Sequence, residues 1–510
     1  MGVDSKHPAY LARVGQWQQM TDCYEGEPAI KCKGQTYLPP TSGQRIDGLG
    51  AGEKGADAFS DYLLRAVFPD YVKQGIEAMV GIMHQEEAII KVPKKMEPLL
   101  KKLGSSGESA QMVLRRLNEY QLKHGRAGIL AEVPDGEGPL ALPYVVLYQA
   151  PRIINWDDGP LSQGKQSLEF VVIDESDDKR TGGFEWTTQD KWRILATAKT
   201  AATLGSFDQS VDTSGGGYRT ISVESTSANL SIDQWKTPSI AGITLDRIPF
   251  VFVNTKDMNA APDDAPLYGL SNLCLAIYRG EADLRQALHN QGQDTFVVIG
   301  AEIDPTKPET RLGAGARVDI PRDGDAKFVG VSSSGLDAQS KTISEDKAAA
   351  GELTSRLFDS AGTSYQSGEA LRIRVSAKTA TLRTIAMTSA EALREILQAI
   401  AVWVGENPDE ISVEANTDFA DTTAASRTLL ELTQAKQLGA PLSEESIHRY
   451  QMQQGLTQMT YEEEQAAMDK EVPRVPPATE LQGQASGGLG EGLGGSRVPR
   501  GVEDDTGTEE

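Results

Sequence analysis

Apolar residues recur at helical spacing most persistently between Ala377 and Val404. Leu382, Ile385, Ser389, Leu393, Ile396, Ile400 and Val404 fall close to one face. No proline breaks the stretch, so it predicts a single rod of roughly 40 Å at 1.5 Å per residue. A short alternating segment follows, ending at Asp418-Phe419, and then a helical pair broken at Gly439-Ala440-Pro441. None of these units gathers the residue types that catalysis needs.

Earlier in the chain the same period predicts helices over 57–68 and 69–83. In the second, Val72, Ile76, Met79, Val80 and Met83 share a face, and Pro69 suits a first turn, where its missing donor costs nothing. A further helix over 108–124 stops at Gly125, a natural left-handed C-cap. The period then changes to two. Segments 127–133, 143–156, 168–175, 192–198 and 248–253 are short, β-branched or aromatic, and separated by Gly, Pro and Asp. They read as an antiparallel sheet of hairpins. Residues 199–231, rich in Ser, Thr and Gly, read as a loose loop or a long hairpin tip.

Helical spacing returns over 270–289, and strand-like runs follow at 295–300 and 316–320. A helix over 337–358 is polar on most faces, so it either bridges solvent or packs on copies of itself. Thr460-Tyr-Glu-Glu is a capping box that opens a last short helix. Beyond Val472 the chain is Pro-rich, then Gly-rich, then acidic, a composition that predicts disorder. The class is α+β.

Charge and composition narrow the functions. The net charge is −23; residues 462–510 account for −8, leaving an acidic body of −15. Ordinary nucleic-acid binding gains from Lys and Arg replacing phosphate counterions, and in this body acidic residues outnumber them. No apolar run approaches a membrane span, and the first residues predict neither a signal peptide nor a myristoylation site. Cys23, Cys32 and Cys274 form no CxxC pair, which predicts free thiols in a reducing compartment.

The search for chemistry is negative. His84-Gln-Glu-Glu lacks the second His of a zinc helix, and the other histidines are scattered. The Gly-rich run 48–55 lacks the Gly-Lys-Ser/Thr ending of a phosphate loop. Gly104-Ser-Ser-Gly misses the nucleophile-elbow spacing, and Ser344-Glu-Asp-Lys matches SxxK only by chance. The sequence predicts no enzyme, no metal and no cofactor. One basic feature remains: Arg372, Arg374 and Lys378 alternate ahead of the long helix. In an extended segment they would share a face able to touch phosphates. A solvated face or an intersubunit ion pair is the competing reading.

Several pieces taken in order resemble tailed-phage portal proteins, and more narrowly the branch catalogued only as a phage domain of unknown function. They are Trp17…Tyr24-Glu-Gly…Tyr37-Leu-Pro-Pro, Tyr62-Leu-Leu-Arg-Ala-Val-Phe-Pro, Val80-Gly-Ile, His124-Gly-Arg-Ala-Gly-Ile-Leu, Ile153-Ile-Asn-Trp, Ile248-Pro-Phe-Val and Ser367-Gly-Glu-Ala. The resemblance runs over roughly 10–460 and rests on their order.

It implies a homo-oligomeric ring of about twelve subunits at one capsid vertex. Such a ring conducts double-stranded DNA without reading its sequence. Its partners would be the terminase large subunit, the capsid protein and a head–tail adaptor, with no membrane. The setting would be the virion, and the host cytoplasm during assembly.

Laid on this chain, residues 1–265 would be a wing with the loose insert 199–231. Residues 266–290 and 336–359 would be two stem helices with a clip, 291–335, between them. A tunnel loop would span 360–378, and the long helix and return to the wing 377–440. A crown at 441–472 and a disordered tail at 473–510 would complete it. Arg372, Arg374 and Lys378 become the DNA-channel candidates. The alternative is another virion or head–tail connector component without a DNA channel.

Overall fold

The computed structural model describes residues 2–134, 142–159, 168–204, 217–225, 230, 234–291, 296–299, 317–320, 333–355, 368–417, 419, 422–453, 457 and 459–468. The expected tunnel loop before Gly368, most of the expected clip and the expected disordered tail lie outside the described residues. Helices and sheets alternate in an α+β arrangement, and the chain divides into two units at residues 420/421.

The first unit holds two hydrophobic cores. One is helical, built by Tyr71–Met83, Lys54–Arg65, Tyr268–Gln291 and the middle of Gly368–Val404. Val72, Ile76, Met79, Val80 and Met83 are all buried there, as their spacing requires. The helix Pro8–Glu25 joins this region, yet the hydrophobic pattern does not announce it. It buries Trp17 and Met20 but also Asp22, whose carboxylate accepts from the Tyr37 hydroxyl at 2.6 Å. A satisfied buried carboxylate hides the amphipathic signal.

The other core lies under two antiparallel sheets rather than the single sheet expected. A three-stranded sheet runs in the order Phe250–Asn254, Arg126–Glu132, Tyr144–Gln149. A four-stranded sheet runs Ile153–Asp157, Phe170–Asp174, Trp192–Thr197, Tyr218–Val223. The split falls within the expected strand 143–156, because Pro151 sits in a one-turn 3-10 helix, Ala150–Arg152, that turns the chain from one sheet to the other. Within 199–231, expected as a loose loop or a long hairpin tip, the described residues include regular structure, and Tyr218–Val223 pairs back on Trp192–Thr197 as a hairpin does. Ala198–Leu204 is helical, and Tyr218–Val223 is an edge strand that buries Tyr218, Ile221 and Val223. Its alternation is masked in sequence by the Ser, Thr and Gly around it.

The helix Ala110–His124 lies between the cores and ends at Gly125 in the left-handed conformation, φ 75°. A Cβ there would also lie 2.5 Å from the Asp264 carbonyl oxygen, so glycine answers both constraints. Phe296–Ile299 and Arg317–Ile320 pair in parallel. Ser412–Glu414 closes on Ile89–Lys91 as an antiparallel pair.

The polar helix Ser333–Ser355 packs on Tyr268–Gln291 through a narrow stripe. Ile343 and Ala350 are buried, and Gly280 lets Ile343 approach to the distance of a bare backbone. Lys347 pairs with Glu281 at 2.5 Å.

The second unit contains Thr422–Gln437, Glu444–Gln453 and Tyr461–Met468. Thr460 caps the last helix reciprocally. Its backbone N–H donates to Glu463 at 2.9 Å, and the Glu463 N–H donates to its hydroxyl at 3.4 Å.

Candidate functional site

The long helix is observed as Gly368–Val404, starting earlier than its pattern predicts. Alanine, leucine and straight-chain residues dominate it and favour a continuous helix. Its roots are deepest at the C-terminal end. Ala392, Leu393, Ile396, Leu397, Ile400 and Trp403 are buried in the sheet core, while Leu382, Ile385 and Ala386 are buried in the helical one. One helix thus spans both cores.

A polar seam marks the crossing. Ser389 is wholly buried, and its hydroxyl lies 2.5 Å from Gln121 Oε1 and 2.9 Å from the Ile385 carbonyl, with Asn118 Oδ1 also in contact. Gln121 in turn donates to the Asn254 carbonyl at 2.8 Å and to the Thr388 hydroxyl at 3.0 Å. Thr388 reaches the same Asn254 carbonyl at 3.1 Å. A slip of one residue would rotate Ser389 about 100° into apolar surroundings, so the seam fixes the helix's axial register.

The three candidates Arg372, Arg374 and Lys378 all fall in this helix, and the extended alternation expected for them is corrected. At about 100° per residue, positions 374 and 378 lie one turn apart, whereas 372 lies about 160° round the axis from 374. The three therefore do not share one face. Their side chains lie outside the described residues. Further along, Arg383 is exposed and has no ion pair among the described residues. Met387, one turn on, is 56 % exposed. Arg383 was visible in the sequence as a basic residue of the helix, but nothing there distinguished it from a salt-bridged surface arginine.

The features with a catalytic look resolve into structure. His84 Nε2 meets Asn118 Nδ2 at 2.9 Å, and burial pushes the imidazole pKa down to about 4. The space beside it is only about 10 Å³, room for one water. The Gly-rich run 48–55 is closed by Glu53, whose carboxylate accepts from the Gly50 N–H at 2.5 Å. An anionic side chain already occupies the turn where a phosphate would sit. Among the described residues, no group of three or more His, Cys, Asp or Glu is placed to hold a metal. No helix among them is long and apolar enough to cross a membrane.

Residues 266–404 match a domain of unknown function, DUF4055. That span contains the helix pair Tyr268–Gln291 and Ser333–Ser355, the parallel strand pair and the whole long helix. No curated protein matches the chain. Among solved structures, it aligns with a chain of the neck of a native GTA particle computed with C12 symmetry, at TM-score 0.33 and 11 % identity. That alignment covers 76 % of this chain and 90 % of the other. A chain of the neck of an empty GTA particle, computed with C6 symmetry, gives TM-score 0.35 at the same identity and coverage.

Proposed function

We propose that the chain is a structural subunit of a phage-type head–tail connector. It assembles into a portal ring whose channel conducts double-stranded DNA, and it performs no catalysis. The observation that carries this reading is the long helix. It is anchored through both cores and pinned in register by Ser389, and its front half bears Arg372, Arg374, Lys378 and the exposed Arg383. A rod held so firmly at one end is suited to resist load along its axis. The order of portal-like motifs along the chain supports the same reading.

The helix Ser333–Ser355 adds to it. Only a narrow stripe is buried within the subunit, so most of its circumference is left for neighbours or an aqueous channel. An acidic body repels DNA, so contact would be confined to the few basic positions and sliding would stay unhindered. Terminase, capsid protein and an adaptor would be the assembly partners, within the virion.

Charge reversal of Arg374, Lys378 and Arg383 together tests the DNA contact. Particles built with the triple variant should assemble and lose packaged DNA. Full DNA content in those particles would refute the contact while leaving the ring reading in place.

A further inference from the structure

One element of the first unit buries almost nothing within the subunit. Asp177–Gly182 and Glu185–Gln189 form a hairpin whose residues are almost all exposed. It continues the ladder of Phe170–Asp174 with Trp192–Thr197, joined by the Glu175 N–H donating to the Lys191 carbonyl at 2.8 Å. The central strand pair of the four-stranded sheet thus runs on as a two-stranded hairpin, a ribbon of roughly 40 Å from Phe170 to Gly182 at about 3.3 Å per residue. A lone hairpin of this kind is marginally stable in water. Its tip nevertheless presents Phe184 at 95 % exposure and Trp186 at 66 %. Arg180 lies over the Phe184 ring at 5.8 Å and pairs in register with Trp186. Aromatic and arginine side chains clustered in this way are the usual anchors of protein interfaces.

A matching recess lies at the other end of the ribbon. A cleft of about 340 Å³ opens beside the edge strand Phe250–Asn254. Leu168, Phe250, Phe252 and Met258 supply apolar walls, and Asp158 and Glu395 bring acid to it. Arg247 stands at the same cleft, opposite in sign to Glu185 of the hairpin. Leu168 and Asp158 sit where the ribbon begins, since Asp157 pairs with Phe170. Tip and cleft are therefore separated by the ribbon's length and do not meet within one chain.

We infer that the hairpin tip, with Phe184 and Trp186 as apolar anchors and Arg180 as a cation, docks into the Phe250–Met258 cleft of a second copy of this chain. The chemistry matches in both senses: aromatic rings meet an apolar wall, and Arg180 meets an acidic rim. A contact between two different patches is head-to-tail, so it repeats around a ring or along a filament instead of closing a two-fold dimer. The contact rests on the hairpin and the cleft alone, independently of the DNA-channel reading.

Cross-linking with a Glu185→Cys, Asn259→Cys pair on a Cys32→Ser background, which leaves both aromatic anchors and the apolar wall in place, tests it in the full-length chain. The expected result is an intermolecular ladder on oxidation, absent when either cysteine is introduced alone beside the buried Cys23 and Cys274. An intrachain disulfide, or no cross-link, would overturn the inference. In parallel, Phe184→Ser with Trp186→Ser should keep the thermal midpoint of the subunit and raise the concentration needed for assembly at least tenfold in sedimentation velocity. Unchanged assembly would overturn the inference and leave the ring intact, and a wild-type chain that stays monomeric would overturn both.

Discussion

The guanidinium of Arg126 lies 4.2 Å from the ring centroid of Trp156, deep inside the sheet core. Phe252 lies on it at 3.9 Å, and His7 stacks against Trp156 at 4.1 Å. None of the three guanidinium nitrogens has a hydrogen-bond partner among the described residues, and burial lowers the pKa to about 9. A cation over two rings gains about 2 kcal/mol when desolvated. Desolvating an unpaired cation costs several kcal/mol, so the charge loses and the side chain's volume is what the core needs. Arg126→Met should therefore unfold in urea within about 1 kcal/mol of wild type or above it, whereas Arg126→Ala should lose about 2–5 kcal/mol to the cavity. Equal losses for both variants would show that the charge itself stabilises the fold.

His124 gives the chain an acid limit. It is fully buried at the end of Ala110–His124, where a helix C-terminus would favour a cation. Desolvation outweighs that, with Lys123 adding to it, and the pKa falls to about 3. The folded state holds His124 neutral, while the unfolded chain takes up a proton below 6.5. The unfolded state therefore binds more protons as pH drops, and stability falls from about pH 6.5 downward. By pH 5 the loss from His124 is about 2 kcal/mol, and His84 shifts in the same direction. Urea midpoints at pH 7 and pH 5 should differ for wild type, and by less for His124→Gln relative to its own pH 7 value.

Ser389→Ala should cost about 1–3 kcal/mol, because whichever of Asn118 and Gln121 accepts the single Ser389 hydroxyl proton would be left with a buried oxygen lacking a donor. If the seam sets axial register, hydrogen exchange should rise on both sides of position 389. A loss confined to the neighbouring turn would show that the apolar positions set register unaided.

The strongly periodic elements were legible in the sequence. Val72 to Met83, Leu382 to Ile400 and the stop at Gly125 follow from spacing and one glycine. The helix Pro8–Glu25 was not, because Asp22 and Cys23 share its buried side and no apolar stripe forms. The hairpin Asp177–Gln189 was missed for the opposite reason: it buries nothing, so no alternation of apolar and polar residues marks it. For the basic candidates, an alternating Arg372-Ile-Arg374 reads equally well as strand or helix over so few residues. The helix beginning at Gly368 decides the matter, and it separates 372 from 374 and 378.

The central claim is that this chain is built to stand in a ring around DNA. Electron-microscopy class averages of the purified full-length chain, with masses measured on the same sample, test it most directly. Closed rings with a central hole and a mass near twelve copies of the chain are the expected result. A uniform population of single chains at micromolar concentration would contradict it.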